Sequence, residues 1–422
     1  MQKRAASTGA AWKQCAATRL PPARRYSAAE QEEREAAYDE ALEAVESTLK
    51  RSRGNRTASA RRDTEQRVTE HFARFSAAAL DLHDDAIVLL TQDFLPAGTR
   101  LARWARRFDP KLAMPDIIQA CRNAWTACGL QPLLGERVEL TPAILGYSML
   151  YPYSDNYLDR EDLHGEAKLH LSRRFRERLR GVRLTPENPV ESALWRLVDL
   201  IEAQYPRPRF PQVFDCLLAI HQAQEDSISQ VGSRASEDDL LLLSCAKGGS
   251  SVLADACLAR GWLTEQETAF AFDWGVLLQL GDDLQDVRED WQRGSMTLFS
   301  VPAARGERLD LRVIQLLTFA ERVGDEMEAQ PHGDAVLKGL LRMSWRSLIL
   351  MAVAASHEHF SPDFLAEAET CSPFRFAFLR QRRDRLAGKQ GLYTMLFEQM
   401  VEPTGENTVD PAPALQPACA IE

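Results

Sequence analysis

From about residue 63 to residue 395, apolar side chains recur at three- and four-residue intervals, and no stretch alternates as a half-buried strand would. The pattern runs through Asn188–Gln204, Phe210–Gln230, Glu237–Leu258, Leu311–Glu328, Ala335–His357 and Pro362–Leu386. Local punctuation agrees with it. Thr141 followed by Pro142 is an N-cap with a first-turn proline, opening a helix through Ile144, Leu145, Met149 and Leu150. Thr264 and Glu267 form a capping box at the start of a helix that runs to about Trp291. No unit repeats at a fixed period. The expectation is one all-α domain of ten or more helices, several long enough to build a barrel-like bundle.

The flanks differ from this body. Residues 1–27 belong to a stretch with six basic residues and no acid before Glu30, which reads as a disordered extension. Residues 28–62 read as a charged helix, about Ala28 to Leu49, and a polar linker. Residues 402–422 are rich in proline and polar residues and read as a tail. Its final Cys419-Ala420-Ile421-Glu422 has the outline of a prenylation box, but it ends in glutamate and follows no polybasic run. The whole chain has 61 acidic and 51 basic residues, a net charge of −10, which argues against a nucleic-acid partner. No uninterrupted apolar run approaches the roughly 18–20 residues of a membrane span; the best, from Ser347 to Ala355, is about half that. The eight cysteines are scattered without metal or redox spacing and read as reduced, mostly buried thiols of a cytoplasmic protein.

The most informative segment is Leu277-Leu278-Gln279-Leu280-Gly281-Asp282-Asp283-Leu284-Gln285-Asp286-Val287-Arg288-Glu289-Asp290. Its upstream half, with Phe270, Phe272, Trp274, Val276 and Leu277, is apolar on nearly every face and belongs in a core. Four aspartates then appear far from the helix start, where the dipole would favour them. At 100° per residue Asp282, Asp286 and Asp290 share a stripe, with Asp283 beside them. Carboxylates about 6 Å apart repel by roughly 3 kcal/mol at an effective dielectric near 20. A solvated face is the plain alternative, with Arg288 and Arg293 as neighbours. Against it stands a second stripe 127 positions earlier, Asp155 and Asp159 with Asp162 one turn on, also ending an apolar helix. Two carboxylate stripes without His or Cys suit Mg²⁺, which commonly completes its octahedron with phosphate and water.

Asp282-Asp283-Leu284-Gln285-Asp286 resembles the Asp-Asp-x-x-Asp motif of the class I isoprenoid synthases, the group of trans-prenyltransferases and class I terpene synthases. Asp155-Asn156-Tyr157-Leu158-Asp159 resembles their first aspartate-rich motif, with Asn in second place. Lys247-Gly248-Gly249 matches the helix-borne diphosphate-binding lysine, and Arg293-Gly294-Ser295-Met296-Thr297-Leu298 resembles the Gly-x-x-Thr-Leu segment after the second motif. The four occur in the family's order over about residues 120–390. The resemblance implies an antiparallel helical bundle with a central apolar cavity and a homodimer as a reasonable assembly. It also implies three Mg²⁺ ions, held by Asp155, Asp159, Asp282, Asp283, Asp286 and Asp290, that bind the diphosphate of an allylic prenyl substrate. Lys247 would add fixed charge on the departing oxygens.

Further substrate contacts are expected from Arg174 and Arg178, which share a face, and from Arg375 and Arg382, as residues closing over the diphosphate. On the helix Phe210–Gln230, Gln222 and Asp226 make a polar stripe with Ser229, either toward a cavity or toward solvent. Tyr151 and Trp274, one and two turns before their motifs, are wall candidates for which core packing is the alternative; Gln279 lies one turn before Asp283. The chain lacks the Gly-Gly-Lys-x-x-Arg-Pro segment that marks an isopentenyl diphosphate site in prenyltransferases, and Arg160-Glu161-Asp162 stands where those enzymes carry paired arginines. That departure, with the prenyltransferase form of the second motif, resembles the bacterial class IB terpene synthases. A terpene synthase making a hydrocarbon or alcohol is therefore the expectation, prenyl elongation the alternative, and a non-catalytic helical binding protein the third.

Overall fold

The structure is a computed structural model that describes residues 1–52, 57–159, 165–229 and 236–389, together with 391, 394, 397, 398 and 401. It is all-helical, with no strand among the described residues. The chain begins with α1 (Gln2–Gln14), α2 (Ala28–Ser52), α3 (Ala58–Leu80), the short α4 (Asp84–Val88) and α5 (Leu95–Phe108). The middle contains α6 (Met114–Leu133), α7 (Pro142–Asp159), α8 (Gly165–Leu179), α9 (Pro189–Gln204) and α10 (Pro211–Ser229). Then follow α11 (Glu237–Arg260), α12 (Glu265–Gln285), α13 (Val287–Arg293), α14 (Ser300–Ala304), α15 (Asp310–Glu328), α16 (Ala335–Ala355), α17 (Pro362–Glu369) and α18 (Phe376–Gly388).

The centre is the antiparallel pair α11 and α12, with α1, α6, α7 and α10 against α11, and α15 and α16 against α12. Every residue from Val252 to Ala259 is buried, as is the Phe270–Leu277 stretch of α12. By length and composition α11 alone among the described helices could cross a membrane, but most of it is enclosed by other helices, and it carries Lys247 and Asp255. The two helices meet main chain to main chain. A Cβ placed on Gly275 would lie 2.1 Å from the carbonyl oxygen of Gly248, and one on Gly248 would lie 2.4 Å from the Gln279 Cβ. The Lys-Gly-Gly segment is thus the contact that sets the helix spacing beneath the acidic stripe.

Capping chemistry fixes several boundaries. Thr264 accepts from the Glu267 amide while the Glu267 carboxylate accepts from the Thr264 amide, and the Ile144 amide donates to Thr141 Oγ1 at 3.3 Å. Ser236 and Asp239 form a second capping box at the start of α11. Two expected helices are each broken in two. The one entered at Thr264 stops at Gln285, with Asp286 as a hinge at φ −95° and ψ 10°, and resumes as α13. The one from Pro362 to Leu386 is interrupted after Glu369, because Pro373 cannot continue it and disfavours helical geometry at Ser372.

The amino-terminal regions depart further from expectation. The segment expected to be disordered contains α1, whose Trp12 is 1 % exposed and meets the Phe319 ring edge-on at 5.8 Å. Ala5, Thr8, Gly9, Ala11 and Trp12 make a single buried helical face, and Thr8 donates to Asp273 on α12. Nor is α2 a detached charged helix. Its Tyr38 packs edge-on against Phe75, Phe374 and Phe378, and its acids pair with α18 and the residue that caps it. The cysteines are free and buried at all seven described positions; Cys419 lies outside the described residues.

Candidate functional site

A cavity of about 430 Å³ opens between α6, α7, α8, α10, α11, α12 and α16. Its apolar wall includes Leu150, Phe175, Leu217, Leu278, Trp345 and Ile349. Its polar end is formed by Lys247, Gln279, Asp282 and Gln285, with Arg122 of α6 at the rim. The helix spacing set by Gly248 and Gly275 brings Lys247 beside the second acidic motif, where its charge favours ionisation of Asp283 and Asp290.

The four aspartates of that motif do not behave alike. Asp283 is buried, and both its oxygens are engaged: Ser244 Oγ donates to Oδ2 at 2.9 Å and Gln279 Nε2 to Oδ1 at 2.8 Å. Burial pushes its pKa up to about 6 despite those donors and Lys247. Asp282 is exposed at the cavity mouth, and Asp286 and Asp290 are half-buried. Burial, then the Asp282 charge, raises Asp286; burial, then Asp283, Asp286 and Asp282, lifts Asp290 to about 7. Among the described residues no cation pairs with Asp282, Asp286 or Asp290. Three carboxylates on one helical stripe, with oxygen donors only, could hold a hard divalent cation such as Mg²⁺. Asp283 does not join them as a free ligand; its two hydrogen bonds make it a brace between α11 and α12.

The first motif is on the last two turns of α7, and the side chains of Tyr151, Asp155 and Asp159 lie outside what the structure describes, as does Asp162 entirely. Arg174 and Arg178 are not at the cavity. Arg174 donates to both oxygens of Glu191 at 2.7 and 2.9 Å, and Arg178 pairs with Asp199 at 2.5 Å and Glu202 at 2.7 Å, joining α8 to α9. Arg375 pairs with Glu32 and Glu35, and Arg382 with Asp39, fastening α2 to the start of α18. Their shared helical faces are real, but the faces belong to helix-to-helix ion pairs. Gln222 donates to Asp226 at 2.8 Å on the exposed side of α10; the side toward the cavity carries Leu217, Ile220, His221 and Gln224. Trp274 is core, with its ring tilted against those of Phe270 and Trp345. Gln279 does line the cavity while holding Asp283.

The exposed His170 and Glu187 and the buried Glu191 bring ligand-type atoms within 4.8 Å of one another, but Arg174 already supplies the cation there. After the second motif, Gly294 takes φ 74° to end α13, and the turn buries Leu298 and Phe299, which accounts for that glycine.

No protein-family model, curated protein or solved structure matches this chain.

Several cavity residues escape a motif search. Arg122, whose charge reaches Asp286, and Asn123 are adjacent polar residues on α6, which also brings Gln119, Trp125 and Thr126 to the cavity. His221 is buried, and its ring N–H donates to the Ser172 carbonyl at 3.0 Å; burial pushes its pKa down to about 4, so it stands neutral beside Glu225. Asp255 is a single acid within the apolar run Val252–Ala259. For His221 and Asp255 the available signal was the same: one polar side chain inside a helix face that should be oily.

Proposed function

We propose that this protein is a Mg²⁺-dependent class I terpene synthase that ionises a linear allylic prenyl diphosphate, releasing pyrophosphate and a terpene hydrocarbon or alcohol. The observation that carries the reading is the mouth of the apolar cavity. There, among the described residues, the carboxylates of Asp282, Asp286 and Asp290 have no cationic partner, and Lys247 and Arg122 have no anionic one. Carboxylates and cations that leave each other unpaired at one cavity mouth suit a ligand that brings both a metal ion and an anion. Bound Mg²⁺ would supply Lewis-acid stabilisation of charge on the leaving diphosphate. Lys247 and Arg122 would hold the diphosphate oxygens by fixed charge in a partly dehydrated site. Leu150, Leu217, Leu278 and Ile349 would wrap the hydrocarbon chain and keep water from the allylic cation.

Elongation is disfavoured by the commitment of Arg174, Arg178, Arg375 and Arg382 to carboxylates, which leaves those four arginines unsuited to a second diphosphate. The deciding experiment incubates the protein with C10, C15, C20 and longer prenyl diphosphates and Mg²⁺, with and without isopentenyl diphosphate, and analyses products by mass spectrometry. Pyrophosphate and a terpene are expected without isopentenyl diphosphate. Products formed only in its presence would establish elongation instead, and no product from any chain length would leave a binding protein. Asp282→Ala is expected to abolish turnover while leaving the helical circular dichroism intact, since it removes an exposed carboxylate and no core atoms.

A further inference from the structure

Asp255 is the most enclosed acid of the cavity, 1 % exposed, on the same face of α11 as Lys247 and Ser251 at successive four-residue steps. Eight residues at 1.5 Å each put it about 12 Å along the helix from Lys247. Its Oδ1 accepts from Asn123 Nδ2 at 3.0 Å, and Asn123 also donates to Ser148 Oγ at 3.2 Å. Among the described residues no donor meets Oδ2 and no cation pairs with the carboxyl. A buried acid of this kind costs several kcal/mol when ionised and has no structural duty that an amide could not perform.

We propose that Asp255 is a catalytic acid that protonates a neutral alkene intermediate at the buried end of the cavity. The inference rests on the terpene synthase reading and adds a second chemical group to it, remote from the diphosphate. Burial raises the carboxyl well above the usual carboxylate range, which favours the protonated form that a proton donor needs. The Asn123 donor occupies Oδ1 and leaves that proton on Oδ2, toward the hydrocarbon.

The sequence of steps balances. The allylic C–O bond breaks with its electron pair leaving on pyrophosphate, and pyrophosphate takes a proton from the carbon skeleton to give a neutral polyene. The Asp255 O–H bond then breaks, its proton forming a new C–H bond with the π pair of an alkene and leaving a tertiary cation beside the carboxylate. That carboxylate removes a proton from the carbon next to the cation, forming the final double bond and restoring the acid. Net, one prenyl diphosphate gives one hydrocarbon and one protonated pyrophosphate. The acid exchanges with solvent when the cavity opens, so each product acquires one hydrogen from water.

The test runs the wild-type protein with Mg²⁺ and whichever of the C10 to C25 prenyl diphosphates it converts, in D₂O, and weighs the hydrocarbon. One deuterium per product molecule is expected, a measurement that involves no variant. Asp255→Asn, which keeps the shape and can still bond Asn123, is expected to lose the deuterated product by about 100-fold or more. It should release an unlabelled hydrocarbon at an earlier stage of cyclisation. A readout independent of turnover is the infrared carbonyl band of a protonated carboxyl in the metal-free protein, taken at a pH above the titration of Asp283 and Asp290. The band is expected in the wild type and absent from the variant. Pyrophosphate release with unlabelled wild-type product overturns the role of Asp255 and leaves the ionisation chemistry standing. A label that survives Asp255→Asn overturns it too, and no pyrophosphate release from any chain length overturns both readings.

Discussion

Replacing Gly275 by alanine tests the contact on which the site geometry depends. The new Cβ would lie 2.1 Å from the Gly248 carbonyl oxygen, where ordinary contact begins at 3.4 Å, so α11 and α12 must separate locally by about 1.3 Å. The obstacle is main chain and cannot rotate away, which puts the cost at the upper end of the overpacking range, about 3 kcal/mol. Alanine returns about 1 kcal/mol through its better helix propensity, leaving a net loss of about 2 kcal/mol. Unfolding entropy of about 2.1 cal/mol/K per residue gives about 0.9 kcal/mol/K for 422 residues, so the melting temperature should fall by about 2 °C. Gly281→Ala on the same helix meets nothing within 4 Å and should raise it by about 1 °C. The assay is thermal melting of both variants and wild type by circular dichroism. Two variants that melt alike would refute a backbone-to-backbone contact at Gly275, and with it the account of how Lys247 is brought beside the acidic stripe.

Three further outcomes follow from other parts of the molecule. Mg²⁺ with inorganic pyrophosphate at about 100 times the dissociation constant adds about 2.7 kcal/mol, so the wild type should melt about 3 °C higher and Asp282→Ala should not; an unshifted wild type would count against the metal reading. Asp283 and Asp290 have folded-state pKa values of about 6 and about 7, above the unfolded carboxylate value near 4. The folded state therefore holds extra protons in that window, and stability falls as pH rises through it. The metal-free protein should thus melt higher near pH 5 than near pH 8, with the slope flattened in Asp283→Asn/Asp290→Asn, and an unchanged slope in that variant would refute the assignment. Trp12→Ala empties a fully buried site and should cost about 3–5 kcal/mol, seen as a melting temperature about 3–5 °C lower; an unchanged value would mean that α1 does not dock.

Most helices were legible in the sequence because their amphipathic period and their caps agree: Asn188, Ser236, Thr264 and Thr141 all sit where a helix begins. What was lost is mostly a matter of long-range partners. Arg375 and Arg382 look like anion-binding arginines until α2, more than 300 residues away in sequence, supplies Glu35 and Asp39. Arg174 and Arg178 are taken up in the same way by α9. Periodicity reports that two residues share a face and cannot report what the face meets. Asp283 illustrates the converse, since Asp-Asp-x-x-Asp reads as three equal ligands whereas Ser244, from a different helix, singles one of them out as a brace. Asp255 carried a faint signal as an isolated polar residue in an oily helix, but only its 3.0 Å contact with Asn123 across 132 residues ties the two together.

The hydroxyl of Thr8 bonds to Asp273, 265 residues later in the chain. At about 5–20 residues per second, a ribosome needs roughly 13–50 s to make the partner of the first helix. Throughout that time the apolar face of α1, with Trp12 on it, has nothing to cover it. The helix is thus made long before its seat, and the nascent chain should be a good client for chaperones that hold exposed hydrophobic helices. Once α1 docks, it does so on the very helix that continues into the acidic stripe.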